Sequence, residues 1–84
     1  MKKETLLQKG FIGTPHIVLG EVFILNVSRN RHISIGSPGM PNEVVFLNQK
    51  DHNKGITDLV CIHNFDYDGF LTEEKLDAII SIFA

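Results

Sequence analysis

Val22-Phe23-Ile24-Leu25-Asn26-Val27, followed after Ser28-Arg29-Asn30-Arg31 by His32-Ile33-Ser34-Ile35-Gly36, is the stretch from which the fold is read. The first run is rich in β-branched and aliphatic side chains, which suit a pleated surface. Phe23, Leu25 and Val27 share one face at period two, and Val22 and Ile24 make the other face apolar as well. A strand apolar on both faces is expected at the centre of a sheet, covered on both sides. The second run alternates with the same period. Four polar residues separate the two, so a tight hairpin joins them, with Asn30 suited to a positive φ.

Upstream, Ile17-Val18-Leu19 and then Gly20 read as the start of the same strand, bent or bulged at the glycine. Lys2 to Lys9 has the pattern of a short helix with Leu6 and Leu7 inward, ended by Gly10, Gly13 and Pro15. Downstream, Ser37-Pro38-Gly39-Met40-Pro41-Asn42 is a loop, since two prolines and a glycine leave no room for a ladder. Glu43 to Asn48 forms a third strand, Asp51 to Gly55 a turn, and Ile56 to His63 a fourth strand. On that strand Leu59, Cys61 and His63 fall on one face, Val60 and Ile62 on the other. The final segment is a helix: Thr72 is an N-cap, Glu73 and Glu74 put negative charge in the first turn, and Leu71 is placed to staple onto Leu76. Leu76, Ile79, Ile80 and Phe83 repeat at helical spacing. The expected fold is therefore α+β, a small, mainly antiparallel four-stranded sheet with the C-terminal helix packed on one face, and residues 1–84 form a single domain.

A chain of 84 residues buries only about 60% of its unfolded surface, so its core is marginal and self-association would add useful burial. Ten acidic against eight basic residues give a net charge of −2, which offers no global attraction to nucleic acid or to an anionic membrane. Cys61 is the single cysteine, so no internal disulfide forms and a reducing, cytoplasmic location is expected. Met1-Lys2-Lys3-Glu4 is basic, but Gln8, Lys9 and Gly10 interrupt the chain before an apolar signal core, so export is not indicated. The most apolar stretch, Phe11 to Val27, is broken by Gly13, Pro15, His16, Gly20, Glu21 and Asn26 and lacks the ~20 apolar residues that span a bilayer.

Three groups of residues carry candidate chemistry. In Asn64-Phe65-Asp66-Tyr67-Asp68-Gly69-Phe70-Leu71, oxygen side chains alternate at Asn64, Asp66 and Asp68, a glycine makes a sharp turn, and Phe70 offers a carbonyl. This segment resembles the calcium loop of the EF-hand family, and the resemblance implies a divalent-ion site at Asn64, Asp66 and Asp68. It departs from the family at its last position, where Lys75 stands in place of a bidentate glutamate, at its first, where Asn64 replaces aspartate, and in the strand-like segment before it. The plain alternative is an acidic turn between strand and helix. Cys61 and His63, two apart on a strand, point the same way and read as a thiol with a neighbouring base, or as part of a zinc set completed by His52. A spacing of ~7 Å is too long for a nucleophile–base hydrogen bond, and the spacing of zinc ligands is absent. Arg29, Arg31 and His32 form the one compact basic cluster, placed at a hairpin tip to clamp a phosphate or carboxylate.

No catalytic triad, paired acid and base, nucleotide loop or complete metal set is assembled from these residues. The expectation is a small non-catalytic binding module, an adaptor, inhibitor or sequestering protein, that takes a protein partner or a small anionic ligand and needs no cofactor. The alternatives are a divalent-ion-binding protein using residues 64–75, and a small enzyme whose site around Cys61 and His63 is completed by oligomerisation. Ile82 lies outside the arc of Leu76, Ile79, Ile80 and Phe83, so a homo-oligomer joined through Ile82 and Phe83 is also expected.

Overall fold

The structure is a computed structural model that describes every residue except His52. Strand β1 runs Ile12–His16, β2 Gly20–Ser28, β3 Arg31–Gly36, β4 Val44–Asp51 and β5 Ile56–Asn64. They pair in chain order as one five-stranded sheet, every neighbour antiparallel. Helix α1 covers Lys3–Gln8, a helical turn α2 covers Phe65–Asp68, and α3 covers Glu73–Phe83. The fold is thus α+β, with one strand more than the expected four.

The additional strand comes from the segment around Gly20. Ile17 to Leu19 do not lead into β2; they form a hairpin turn between β1 and β2, with Ile17 and Val18 exposed. Two features close this turn. Gly20 has φ 79°, a conformation that costs a glycine nothing, and the His16 Nδ1 accepts hydrogen bonds from the N–H groups of Val18 and Leu19, both at 3.1 Å. Apolar composition suggested continuity, but local hydrogen bonding decides otherwise.

Along β2 to β4 the period-two pattern holds. Phe23, Ile33, Ile35, Val45 and Leu47 are buried and form one cluster with Leu6, Phe11, Leu71, Leu76 and Ile79. Leu6 of α1 is buried, whereas Leu7 is exposed, so only one of the two expected leucines points inward. The β2–β3 hairpin is present, but Asn30 does not take a positive φ: among the described residues Ser37 is the one non-glycine that does, at 52°. A register shift between Asn26 and Ser28 accommodates the turn instead.

A second irregularity reorients β5. Val45 faces His63 and Phe46 faces Cys61, so Ile62 is an extra residue in the ladder. A bulge of this kind switches the faces on either side of it. His63 therefore points into the core with Val45, while Cys61 points to the opposite face with Phe46. The expected grouping of Leu59, Cys61 and His63 on one face is overturned.

Three chain segments converge on a buried carboxylate. Glu43 is fully buried; its Oε2 accepts from the Met1 ammonium at 2.8 Å and from the Gly39 N–H at 2.7 Å, and its Oε1 accepts from the Leu71 N–H at 2.7 Å. Burial by itself raises the pKa of this carboxyl. The hydrogen bonds from Gly39, the terminal ammonium and Leu71 outweigh that and hold it below its ordinary value. Directly after Leu71, Thr72 caps the start of α3 by accepting from the Lys75 N–H at 3.1 Å. Lys9 spans the gap between α1 and α3, with Nζ 2.6 Å from Asp77 and 3.0 Å from Glu73. These hydrogen bonds, to Asp77 and then Glu73, raise the Lys9 pKa.

Glu43→Gln is expected to destabilise the fold by about 3–5 kcal/mol near neutral pH, because it strands the ammonium without a counter-charge; urea denaturation measures this. A carboxyl whose folded pKa is depressed contributes stability above its unfolded value and loses it as pH falls through the folded one. The natural chain should therefore lose its advantage over Glu43→Gln progressively below the ordinary value of 4.5, and the two stability curves should converge in acid.

Candidate functional site

The face of the sheet opposite the core cluster is floored by alternate residues of the same strands. Val22 and Ile24 of β2, Ser34 and Gly36 of β3, Phe46 and Asn48 of β4 and Leu59 of β5 line a groove of about 280 Å³. Its far wall is the β1–β2 hairpin, with Thr14, Pro15, His16 and Leu19. Leu19 arches over the sheet: a Cβ placed on Gly36 would lie 2.7 Å from the Leu19 Cδ1. Glycine at position 36 leaves the floor deep enough for that side chain to lie across it.

Polar side chains line the groove at Thr14 and His16 on its wall, at His32 at one end, and at Ser34 and Asn48 in the middle of its floor. There Asn48 donates to the Ser34 Oγ at 2.9 Å, a cross-strand pair from the register that sets Phe46 opposite Ser34 and Asn48 opposite His32. The bond uses one amide hydrogen of Asn48 and one lone pair of Ser34. The Asn48 carbonyl oxygen and the Ser34 hydroxyl proton keep their own capacity for further hydrogen bonds.

Arg29, Arg31 and His32 come together at the end of this face. With Lys50, Asn26, Asn30 and Thr57 they line a second cavity of about 160 Å³. Lys50 belongs to it because β4 runs three residues beyond the expected Asn48, and its N–H donates to the Asn30 carbonyl at 2.8 Å. The period-two alternation of Asn48 and Lys50 would have placed the lysine here had the strand been read to Asp51. Among the described residues, the ion pairs are those of Met1, Lys3, Lys9 and Lys75, so Arg29, Arg31 and Lys50 have no carboxylate partner. His32 lines both cavities.

The acidic loop is built differently from a ligand cage. Asn64 accepts from the Asp66 N–H at 2.9 Å, capping α2, and Asp68 accepts from the Asn64 N–H at 3.0 Å. That backbone bond is the main cause of a lowered Asp68 pKa, with Lys75, whose Nζ lies 4.0 Å away, and His63 adding to it. Asp66 is exposed. Gly69, with φ 74°, ends the turn as its sequence position demands. Among the described residues no group of three or more His, Cys, Asp or Glu side chains is disposed to hold a metal ion.

Cys61 and His63 are separated by the bulge. The Cys61 thiol is exposed and lies 3.5 Å from the His63 carbonyl, while the His63 ring is buried, with Nε2 2.8 Å from the Gly69 carbonyl. A carbonyl only accepts, so Nε2 donates, and Nδ1 is left buried without a partner among the described residues. This thiol and this imidazole face opposite sides of the sheet and form no nucleophile–base pair. His52, the third member of the zinc set considered above, lies outside the described residues. Another cavity, of about 390 Å³, lies between Lys3, Glu21 and the Ser37–Asn42 loop, but its two charges pair with each other at 3.4 Å.

Ile82 is 71% exposed, whereas Phe83 is half-buried against the core cluster. No helix among the described residues is long and apolar enough to cross a membrane. No protein-family model matches the chain, and neither does any curated protein or solved structure.

Asn64→Ala should remove the α2 cap at a cost of about 1 kcal/mol, measured by thermal or urea unfolding. With Lys75 beside Asp68 and two loop oxygens committed to backbone, calorimetric titration should detect no saturable Ca²⁺ binding tighter than about 10 µM.

Proposed function

We propose that this protein is a non-catalytic binding module for an anionic ligand, held by Arg29, Arg31 and His32 with Lys50 at the end of the open sheet face. The observation that carries this reading is the concentration of cations around one cavity with no carboxylate among the described residues to neutralise them. A natural surface places such charges either to keep a turn solvated or to meet an anion. The concave lining and the inclusion of a third cationic side chain, Lys50, from a different hairpin favour the second role. Arginine's planar fork suits a carboxylate or phosphate in two-point contact. In this reading α3 and α1 cover the core face, and the opposite face is kept for the ligand.

A second reading, compatible with the first, is self-association. It is supported by Ile82 on α3 and by β5, an edge strand that exposes Ile56, Leu59 and Val60 and has Asp58 as its one charge. Edge strands with so little charge pair readily with another chain.

Arg29→Ala with Arg31→Ala should weaken binding of inorganic phosphate roughly tenfold or more and flatten its salt dependence, while shifting the unfolding free energy by no more than about 0.5 kcal/mol. Calorimetry in a salt series and urea denaturation measure the two effects; phosphate affinity unchanged by the double substitution would remove the anion reading. For self-association, light scattering at micromolar concentration should report a dimer that Ile82→Asp shifts toward monomer if the helix end is the interface, and that Val60→Lys shifts if β5 is.

A further inference from the structure

The basic cavity and the apolar groove share His32, and from that junction the floor runs along the strands through Asn48 and Ser34 to Phe46, Ile24, Val22 and the overhanging Leu19. We infer that the two are one site, and that its ligand is a small amphipathic anion: a carboxylate or phosphate head seated among Arg29, Arg31, His32 and Lys50, and a single unbranched apolar chain lying along the groove. This rests on the anion-binding reading above and adds the chemistry of the rest of the ligand.

Charge complementarity fixes the orientation. The cationic side chains gather at one end, and among the described residues no lysine, arginine, aspartate or glutamate lines the groove itself. From the row of Asn26 and His32 to the row of Val22 and Gly36 is four residues along β2, about 13 Å at strand rise. This length and the cavity volumes of about 160 and 280 Å³ suit one medium-length chain and exclude a folded partner from the groove floor. Apolar side chains left partly in water along the floor supply the driving force. Ile24 and Phe46 are half-buried and Leu59 is 59% exposed, so each methylene laid on them removes apolar surface from water on both sides. The Ser34–Asn48 pair crosses the floor with the second Asn48 amide hydrogen, the Ser34 hydroxyl proton and the Asn48 carbonyl oxygen unspent, which accommodates a polar group near the head end of the chain.

The test is calorimetric titration of the whole chain with butyrate, hexanoate, octanoate and decanoate, with octyl phosphate and inorganic phosphate as further probes. Affinity should rise about three- to four-fold for each added methylene up to the length of the groove, for carboxylates and alkyl phosphate alike. Leu59→Ser, an uncharged change on an exposed edge strand that leaves the core untouched, should cut the gain with chain length, while inorganic phosphate, which does not reach the groove, still binds. Ser34→Phe, which fills the groove floor, should do the same, and the two variants together guard against loss of folding in either. Arg29→Ala with Arg31→Ala should weaken every probe. Equal affinity for butyrate and decanoate, with both lost in the arginine variant, would overturn the groove while leaving the anion site standing. A chain-length gain that survives the arginine substitution undiminished would overturn the joined site, because head and chain would then not bind together.

Discussion

The carboxylate of Glu43 organises this protein more than any other single group. It follows the Ser37–Asn42 loop immediately and stands directly before β4, and its two oxygens are fully shielded from water. An unpaired charge there would be prohibitive. Its three donors come from the ammonium of Met1, the Gly39 backbone and the Leu71 backbone, which are remote from one another in sequence. Its main chain is engaged as well, donating to the Met40 carbonyl and accepting from the Phe65 N–H. One residue therefore fixes the start of α1, the loop between β3 and β4, and the approach to α3. Once these are fixed, Leu6, Leu71 and Leu76 arrive together beneath the sheet.

The open face depends on that arrangement only indirectly. Because the core residues occupy one parity of β2, β3 and β4, the other parity is left to face away from it, and its composition is unusual for a solvated face. Val22, Ile24, Phe46 and Leu59 are apolar, yet Ser34, Asn48 and His32 interrupt them. A purely apolar surface would favour indiscriminate burial, whereas an apolar strip with convergent polar groups gives a bound molecule a preferred orientation. The β1–β2 hairpin converts the strip into a groove by carrying Leu19 over Gly36. The basic residues at the β2–β3 turn then give the groove a polarity from one end to the other.

The acidic segment before α3 illustrates how the same residue pattern serves two purposes. Alternating oxygens with a following glycine suit a calcium loop, and they equally suit a turn whose side chains satisfy its own backbone. Here Asn64 and Asp68 bond to N–H groups within the segment, Gly69 supplies the left-handed conformation, and Thr72 caps the next helix. Its structural task is to turn the chain from an edge strand into α3 while leaving the Leu71 N–H free for Glu43.

The α+β class, the pairing of β2 with β3, the existence of β4 and β5, the N-cap at Thr72 and the grouping of Arg29, Arg31 and His32 were legible in the sequence, because each depends on side-chain period or on residues close together in the chain. Tertiary structure decided the rest. The first strand was hidden because the Ile17–Leu19 turn is as apolar as the strand it adjoins, and only the His16 ring and Gly20 reveal it. Cys61 and His63, expected on one face, lie on opposite faces because a bulge at Ile62 breaks the period from which a face is read. Lys50 joined the basic cavity, and Leu19 the groove, through contacts between hairpins that no local pattern encodes. Glu43 looked like an ordinary polar residue at the start of a strand; its burial becomes tolerable only when the nearby Gly39 N–H is joined by donors from the distant Met1 and Leu71, and that convergence is a property of the folded chain alone.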